Sequence, residues 1–232
     1  MNLTDLEKAL GHKFDDPELL ERALTHRSWA NEQASKDGEK AEENETLEFV
    51  GDSVVGLVVA EELFRRNPDE AEGGLSLMKH SLVRTEALAA AAEKIRLGDF
   101  VRLSSGEEKI GGRKNPAILA DTFEAVVAAI FLDGGYEAAK AFVTREMEGP
   151  LNTATPKSSL DYKTLLQETL QANKMAAPAY QLVRTEGQPH DRTFYVEAVW
   201  ENGKTAGHGR SIKSAEMMAA SKAVELLNGK VG

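Results

Sequence analysis

Cysteine is absent from the 232 residues. That excludes disulfides, thiolate metal centres and cysteine nucleophiles, and it agrees with a reducing cytoplasm. Long apolar runs are missing too. The longest, near residues 54–60 and 125–132, fall far short of the roughly 20 residues that a membrane-spanning helix needs. The opening stretch MNLTDLEKALGHKF is amphipathic and charged, unlike a secretory leader. The expectation is a cytoplasmic protein with no membrane partner. Positive charge is in deficit, with 28 Lys and Arg against 38 Asp and Glu, net −10. Taken alone, this argues against a nucleic-acid partner. The five histidines are scattered, and no Ser-His-Asp arrangement is evident, which disfavours a histidine-based hydrolase. No internal repeat or low-complexity tract interrupts the chain.

What is present is unevenly distributed. From Lys157 onward there are 10 Lys and Arg against 8 Asp and Glu, net +2, so the remainder carries −12. Such asymmetry is informative where the total is not, and an acidic half can still act on phosphates if its carboxylates hold metal ions. Residues 149–159, GPLNTATPKSS, are rich in Pro, Ser, Thr and Gly and read as a linker between domains at 1–148 and 160–229.

Before that linker, the apolar spacing is helical throughout. Helices are expected at 3–10, 17–25, 44–66, 74–95, 116–132 and 136–147, with a polar loop at 34–43. Asn115 followed by Pro116 is a helix start. After the linker the order is α-β-β-β-α: a helix at 161–172, strands at 179–186, 192–200 and 205–210, and a helix at 211–227. In the second strand Phe194, Val196, Ala198 and Trp200 share one face. In the last helix Ala215, Met218, Ala219, Ala223 and Leu226 are expected to face inward. The fold class is therefore an all-α domain followed by a small α+β domain.

Within Asn44-Glu45-Thr46-Leu47-Glu48-Phe49-Val50-Gly51-Asp52-Ser53, three acids recur at i, i+3 and i+7. On a helix, Glu45, Glu48 and Asp52 fall within about 60° of one another. Asp121 and Glu124 repeat the spacing in Ile118-Leu119-Ala120-Asp121-Thr122-Phe123-Glu124-Ala125. Both stretches are otherwise apolar. Burying unpaired carboxylates costs several kcal/mol each, and a divalent cation is the simplest compensation. An all-oxygen ligand set selects Mg²⁺, with Mn²⁺ as a substitute, over zinc. No His stands three residues after any of these glutamates, which weighs against a di-iron bundle. The alternative is that the acids cap helices or join a structural ion-pair network.

These residues carry a family resemblance. NETLEFVGDSV resembles the signature helix of bacterial ribonuclease III. Leu24-Thr25-His26-Arg27-Ser28 resembles an element just upstream of it. Gly111-Gly112-Arg113 and the Asp121–Glu124 segment resemble the second acidic element, and the α-β-β-β-α unit resembles a double-stranded RNA-binding domain. The likeness covers essentially the whole chain in the family's order. It implies an all-α endonuclease domain followed by a double-stranded RNA-binding domain. It also implies metal-site carboxylates at Glu48, Asp52, Asp121 and Glu124, with Asp52 and Glu124 catalytic and Glu45 and Glu72 supporting. For Glu72 a solvated loop charge is the alternative reading. Phe49 matches an aromatic that packs into a partner subunit, with an ordinary core Phe as the alternative. Thr46 stands where the family usually has Arg, Gly74 where an acid is common, and Ile212 where a basic residue is frequent.

In the C-terminal domain, Thr164, Gln167 and Gln171 lie on one face of the first helix, suited to an RNA minor groove with its 2′-hydroxyls. By the resemblance, His190 sits near the tip of a loop that reaches a second minor groove. Arg210, Ser211 and Lys213 open the last helix and would grip phosphates. The implied activity is an endoribonuclease hydrolysing double-stranded RNA with metal-activated water. Its products would carry 5′-phosphate and 3′-hydroxyl ends, with roles in rRNA and mRNA processing. The enzyme would act as a homodimer without an organic cofactor. Two rivals are a non-catalytic RNA-binding scaffold and a metal-carboxylate enzyme acting on a small phosphate.

Overall fold

The computed structural model describes residues 3–38, 41–188 and 191–228. It divides into two compact units, Met1–Ser159 and Leu160–Gly232. Among the described residues, no helix is long and apolar enough to cross a membrane.

The first unit is helical. Its elements are α1 (Leu3–Leu10), α2 (Pro17–Ala23), α3 (Arg27–Asp37), α4 (Glu45–Arg66), α5 (Glu72–Leu82), α6 (Thr85–Lys94), α7 (Ser105–Lys109), α8 (Pro116–Glu146), α9 (Glu148–Thr153) and α10 (Pro156–Ser159). Helix α8 is central. It is apolar on nearly every side from Ile118 to Ile130, the pattern of a helix enclosed by others. Its start matches the sequence signal, with Asn115 accepting a hydrogen bond from the Ala117 amide and Pro116 in the first turn. Gly135, at φ 78°, breaks the helical path and lets 136–146 turn along the core, which accounts for the two helices expected there. Helix α4 packs along α8 and buries Leu47, Val54, Val55, Val58, Val59 and Leu63 against it.

Three expectations are corrected in this unit. The single helix expected at 74–95 is two, because Arg84 is extended (φ −72°, ψ 156°). Met78, Leu82 and Leu88 are all buried. At 100° per residue Leu88 would point about 120° away from Leu82 on one continuous helix, and the break at Arg84 lets both face the same core. The loop expected from residue 34 begins later. Helix α3 runs to Asp37 and ends at Gly38, whose left-handed φ of 80° lets its amide bond the Ala34 carbonyl. Its only apolar residues are Trp29, Ala30 and Ala34, too few to set up an apolar period that would announce it. The segment 149–159, expected as linker, belongs to the first unit. It forms α9 and α10: Leu151 is buried in the core, and α10 packs on α5.

The second unit contains α11 (Tyr162–Ala172), β1 (Ala179–Glu186), β2 (Thr193–Trp200), β3 (Gly203–Gly209) and α12 (Ile212–Asn228). The sheet is antiparallel in the order β1-β2-β3. Val196, Ala198 and Trp200 of β2 are buried, as their alternation requires, and Leu166 and Leu170 close the core from α11. The inward face of α12 differs from the expected one. Ala215, Ala219, Ala220, Ala223 and Val224 are buried, whereas Met218 and Leu226 are exposed. The cause is a close approach to β3: a Cβ on Gly207 would lie 2.2 Å from the Ala215 carbonyl oxygen and 2.4 Å from the Ala219 amide. Only small side chains fit that seam, so the larger Met218 beside it turns outward.

Candidate active site and nucleic-acid interface

The acidic residues converge where α4 crosses α8. Gly51 makes the crossing possible. A Cβ there would sit 1.9 Å from the carbonyl oxygen of Glu124, inside the backbone of the facing helix. With no side chain at 51, Glu48 and Asp52 on α4 straddle the point at which α8 presents Asp121 and Glu124. Glu48, Asp121 and Glu124 each bring one carboxylate oxygen to within 4.8 Å of the others. Asp52, one turn beyond Glu48, is exposed and stands outside that compact set, yet its charge is felt at Glu124.

The electrostatics follow from this crowding. Burial is the largest influence on Glu124, followed by the charges of Asp52, Glu48 and Asp121, and together they push its carboxyl up to about 8. Glu48 is raised by burial first and then by Asp121 and Glu45. Asp121 is raised by burial, opposed by His26 and Arg27. Three part-buried carboxyls resist ionisation side by side: Arg27 only partly offsets the shifts on Glu48 and Asp121, and no cation among the described residues offsets the one on Glu124. Their donor set is oxygen only, which fits a hard divalent cation. A structural ion-pair network, the alternative reading, would lower these values rather than raise them.

A cleft of about 310 Å³ opens beside the cluster, lined by His26, Arg27, Asn44, Glu45, Glu48 and Asp121. Sequence reading assigned no role to His26, Arg27 or Asn44. Their neighbourhood is built by long-range bonds that no local pattern encodes. The His26 amide donates to the Arg102 carbonyl at 3.1 Å, and the Arg102 amide donates to Leu24 at 2.8 Å. The buried Asn44 donates its amide to the Thr25 carbonyl at 3.0 Å, which ties the start of α4 to the segment carrying His26 and Arg27. Burial holds the His26 imidazole below its usual range, against the pull of Glu107. Arg27 donates to Glu45 at 3.2 Å. Thr46, in place of the family's usual Arg, accepts from Arg22 at 2.6 Å, and Arg22 also pairs with Glu42 at 2.7 Å.

The remaining expected residues lie elsewhere. Glu72 is the exposed first residue of α5, where it accepts from the Ser76 hydroxyl at 2.9 Å, and it is not part of the compact carboxylate set. Phe49 is 77% exposed on α4, which excludes the core-Phe alternative. In the second unit, Thr164, Gln167 and Gln171 form an exposed face of α11. Ser211 and Ser214 exchange hydroxyl-to-amide bonds of 3.1 Å at the start of α12, so the Ser211 hydroxyl caps the helix. Arg210 pairs with Asp191, and Lys213 is exposed in the first turn of α12. His190 lies outside the described residues.

Comparison with known proteins agrees with this layout. Residues 16–151 match the Ribonuclease-III-like family model, and residues 162–227 match the double-stranded RNA binding motif. Ribonuclease 3 of Bdellovibrio bacteriovorus is 42% identical over 228 residues, 95% of this chain and 94% of that protein. The chain belongs to the ribonuclease III family. It is accordingly a metal-dependent endoribonuclease of double-stranded RNA with its own RNA-binding motif. Ribonuclease 3 of Clostridium acetobutylicum is 44% identical and covers 97% of both chains. A solved nuclease domain of Campylobacter jejuni ribonuclease III, described as showing structural flexibility in a region involved in dimer formation, has a TM-score of 0.59. It is 41% identical and covers 64% of this chain and 98% of that one.

Proposed function

We propose that the first unit is the catalytic domain of a cytoplasmic ribonuclease III. In this reading Glu48, Asp121 and Glu124 hold Mg²⁺, or Mn²⁺ in its place. The observation that carries the proposal is the convergence of these three carboxylates with Glu124 pushed up to about 8. When bound, the cation supplies Lewis acidity, acidifying a water and stabilising charge on the leaving 3′-oxygen. Glu124, the most strongly perturbed of the set, must lose its proton to become a ligand, so cation binding releases a proton near neutral pH. Asp52, exposed beside Glu124, orients the attacking water. Glu45 supports the rim, and Glu72 is a peripheral acid. The products carry 5′-phosphate and 3′-hydroxyl ends, and the substrates include rRNA and mRNA precursors.

The enzyme acts as a homodimer in which each subunit cuts one strand. Helix α4 presents Phe49, Leu57 and Phe64, which are 77%, 56% and 67% exposed and lie within about 80° of one another on the helix. A stripe of large apolar side chains open to water marks an interface. The second unit grips duplex RNA through Thr164, Gln167 and Gln171 on α11, and through Arg210, Ser211 and Lys213 at the start of α12. Contacts of this kind read A-form shape rather than sequence.

The test is cleavage of long double-stranded RNA in Mg²⁺, in Ca²⁺ and in chelator. Cutting only in Mg²⁺, to short duplex products, supports the reading. Binding without cutting in any metal overturns it and leaves an RNA-binding scaffold.

A further inference from the structure

An active site built from five acids faces a substrate that is itself a polyanion. A duplex strand carries a phosphate about every 3.4 Å of rise. The phosphates flanking the scissile one must therefore lie over the walls of the cleft beside the cluster. Those walls are acidic at Glu45, Glu48 and Asp121, and the permanently charged cation among the lining residues is Arg27. Its guanidinium is 66% exposed and pairs with Glu45, itself 49% exposed. An ion pair this open to water is weakly held and easily exchanged. Asn44 and Arg102 fix the backbone of the Arg27 segment, so the side chain can move while its root stays in place. The guanidinium also acts on the cluster itself, favouring the ionised forms of both Glu48 and Asp121. It therefore stands over the same carboxylates that the substrate must approach.

We infer that Arg27 is a phosphate clamp: on RNA binding its guanidinium leaves Glu45 and takes a backbone phosphate next to the scissile one. A planar guanidinium with paired donors suits a phosphate better than a single exposed carboxylate oxygen. The exchange places a positive charge between the RNA and the acidic wall at the moment the two meet. This inference rests on the nuclease reading above.

The experiment uses the full-length protein and synthetic RNA duplexes in which single phosphates near the cleavage site are replaced by neutral methylphosphonates. Arg27→Ala is expected to raise KM about tenfold to a hundredfold, the range of one charge-assisted contact, with a smaller change in kcat. Arg27→Lys is expected to recover part of the loss. In Ca²⁺, one methylphosphonate position should weaken duplex binding to wild type and leave binding to Arg27→Ala unaffected. A role confined to the acidic cluster would instead change divalent-ion affinity and give both proteins the same methylphosphonate profile, and that result overturns the clamp. Wild-type cleavage with an unchanged KM in Arg27→Ala also overturns the clamp while leaving the nuclease reading intact. A wild type that binds duplex but never cuts overturns the nuclease reading, and the clamp with it.

Discussion

Replacing Glu124 by Gln tests whether the acidic cluster is poised for a cation. In the metal-free protein the Glu124 carboxyl is held near 8, against an ordinary value of 4.5. Below pH 4.5 both folded and unfolded chains keep the proton, and the residue costs nothing. Between 4.5 and about 8 the unfolded chain ionises while the folded one does not, so stability falls as pH rises. Above about 8 the penalty is complete. At 1.36 kcal/mol per tenfold change in proton affinity, the ceiling is about 5 kcal/mol. The side chain is only part-buried, so water screens much of this, and about 1–2 kcal/mol is expected. Glu124→Gln removes the ionisation with little change of shape. In chelator, thermal unfolding of variant and wild type should coincide near pH 4.5. The variant should gain over wild type as pH rises, by about 2–8 °C near pH 9. Added Mg²⁺ should reverse the order, because only the wild type keeps its full ligand set. Parallel melting curves across this pH range, or equal Mg²⁺ stabilisation of both proteins, would refute the argument. Cleavage by the variant should be abolished, with duplex binding nearly intact.

Other outcomes follow from the same geometry. Gly51→Ala should wedge α4 away from Glu124, costing about 1–3 kcal/mol or more in denaturant unfolding and most of the cleavage activity. Phe64→Asp, outside the acidic cluster, should shift sedimentation toward monomer and lower cleavage, while the circular-dichroism spectrum stays helical. Lys213→Ala should weaken duplex binding across unrelated sequences and reduce the salt slope by about one, whereas Gln167→Ala should weaken binding with the slope unchanged.

Much of this molecule is legible in the chain alone, because its signals are local and periodic. The i, i+3, i+7 acids at Glu45, Glu48 and Asp52 and the pair Asp121 and Glu124 each follow from helical spacing. So do the exposed face of Thr164, Gln167 and Gln171 and the alternation that buries Val196, Ala198 and Trp200. Tertiary structure alone decided the rest. The break between α5 and α6 arises because Leu82 and Leu88 must both reach one core. The inward face of α12 shifts because Gly207 brings β3 too close for Met218. Residues 149–159 have a linker's composition, but the burial of Leu151 and the packing of α10 on α5 seat them on the first unit. The convergence of two acidic helices depends on the contact of Gly51 with the backbone of Glu124, seventy-three positions away. Arg27 reaches the same site because backbone bonds tie the preceding Leu24, Thr25 and His26 to Arg102 and Asn44. Spacing along a chain determines which side chains share a face of one element, while the perturbed pKa of a carboxyl is set by what another element places opposite it.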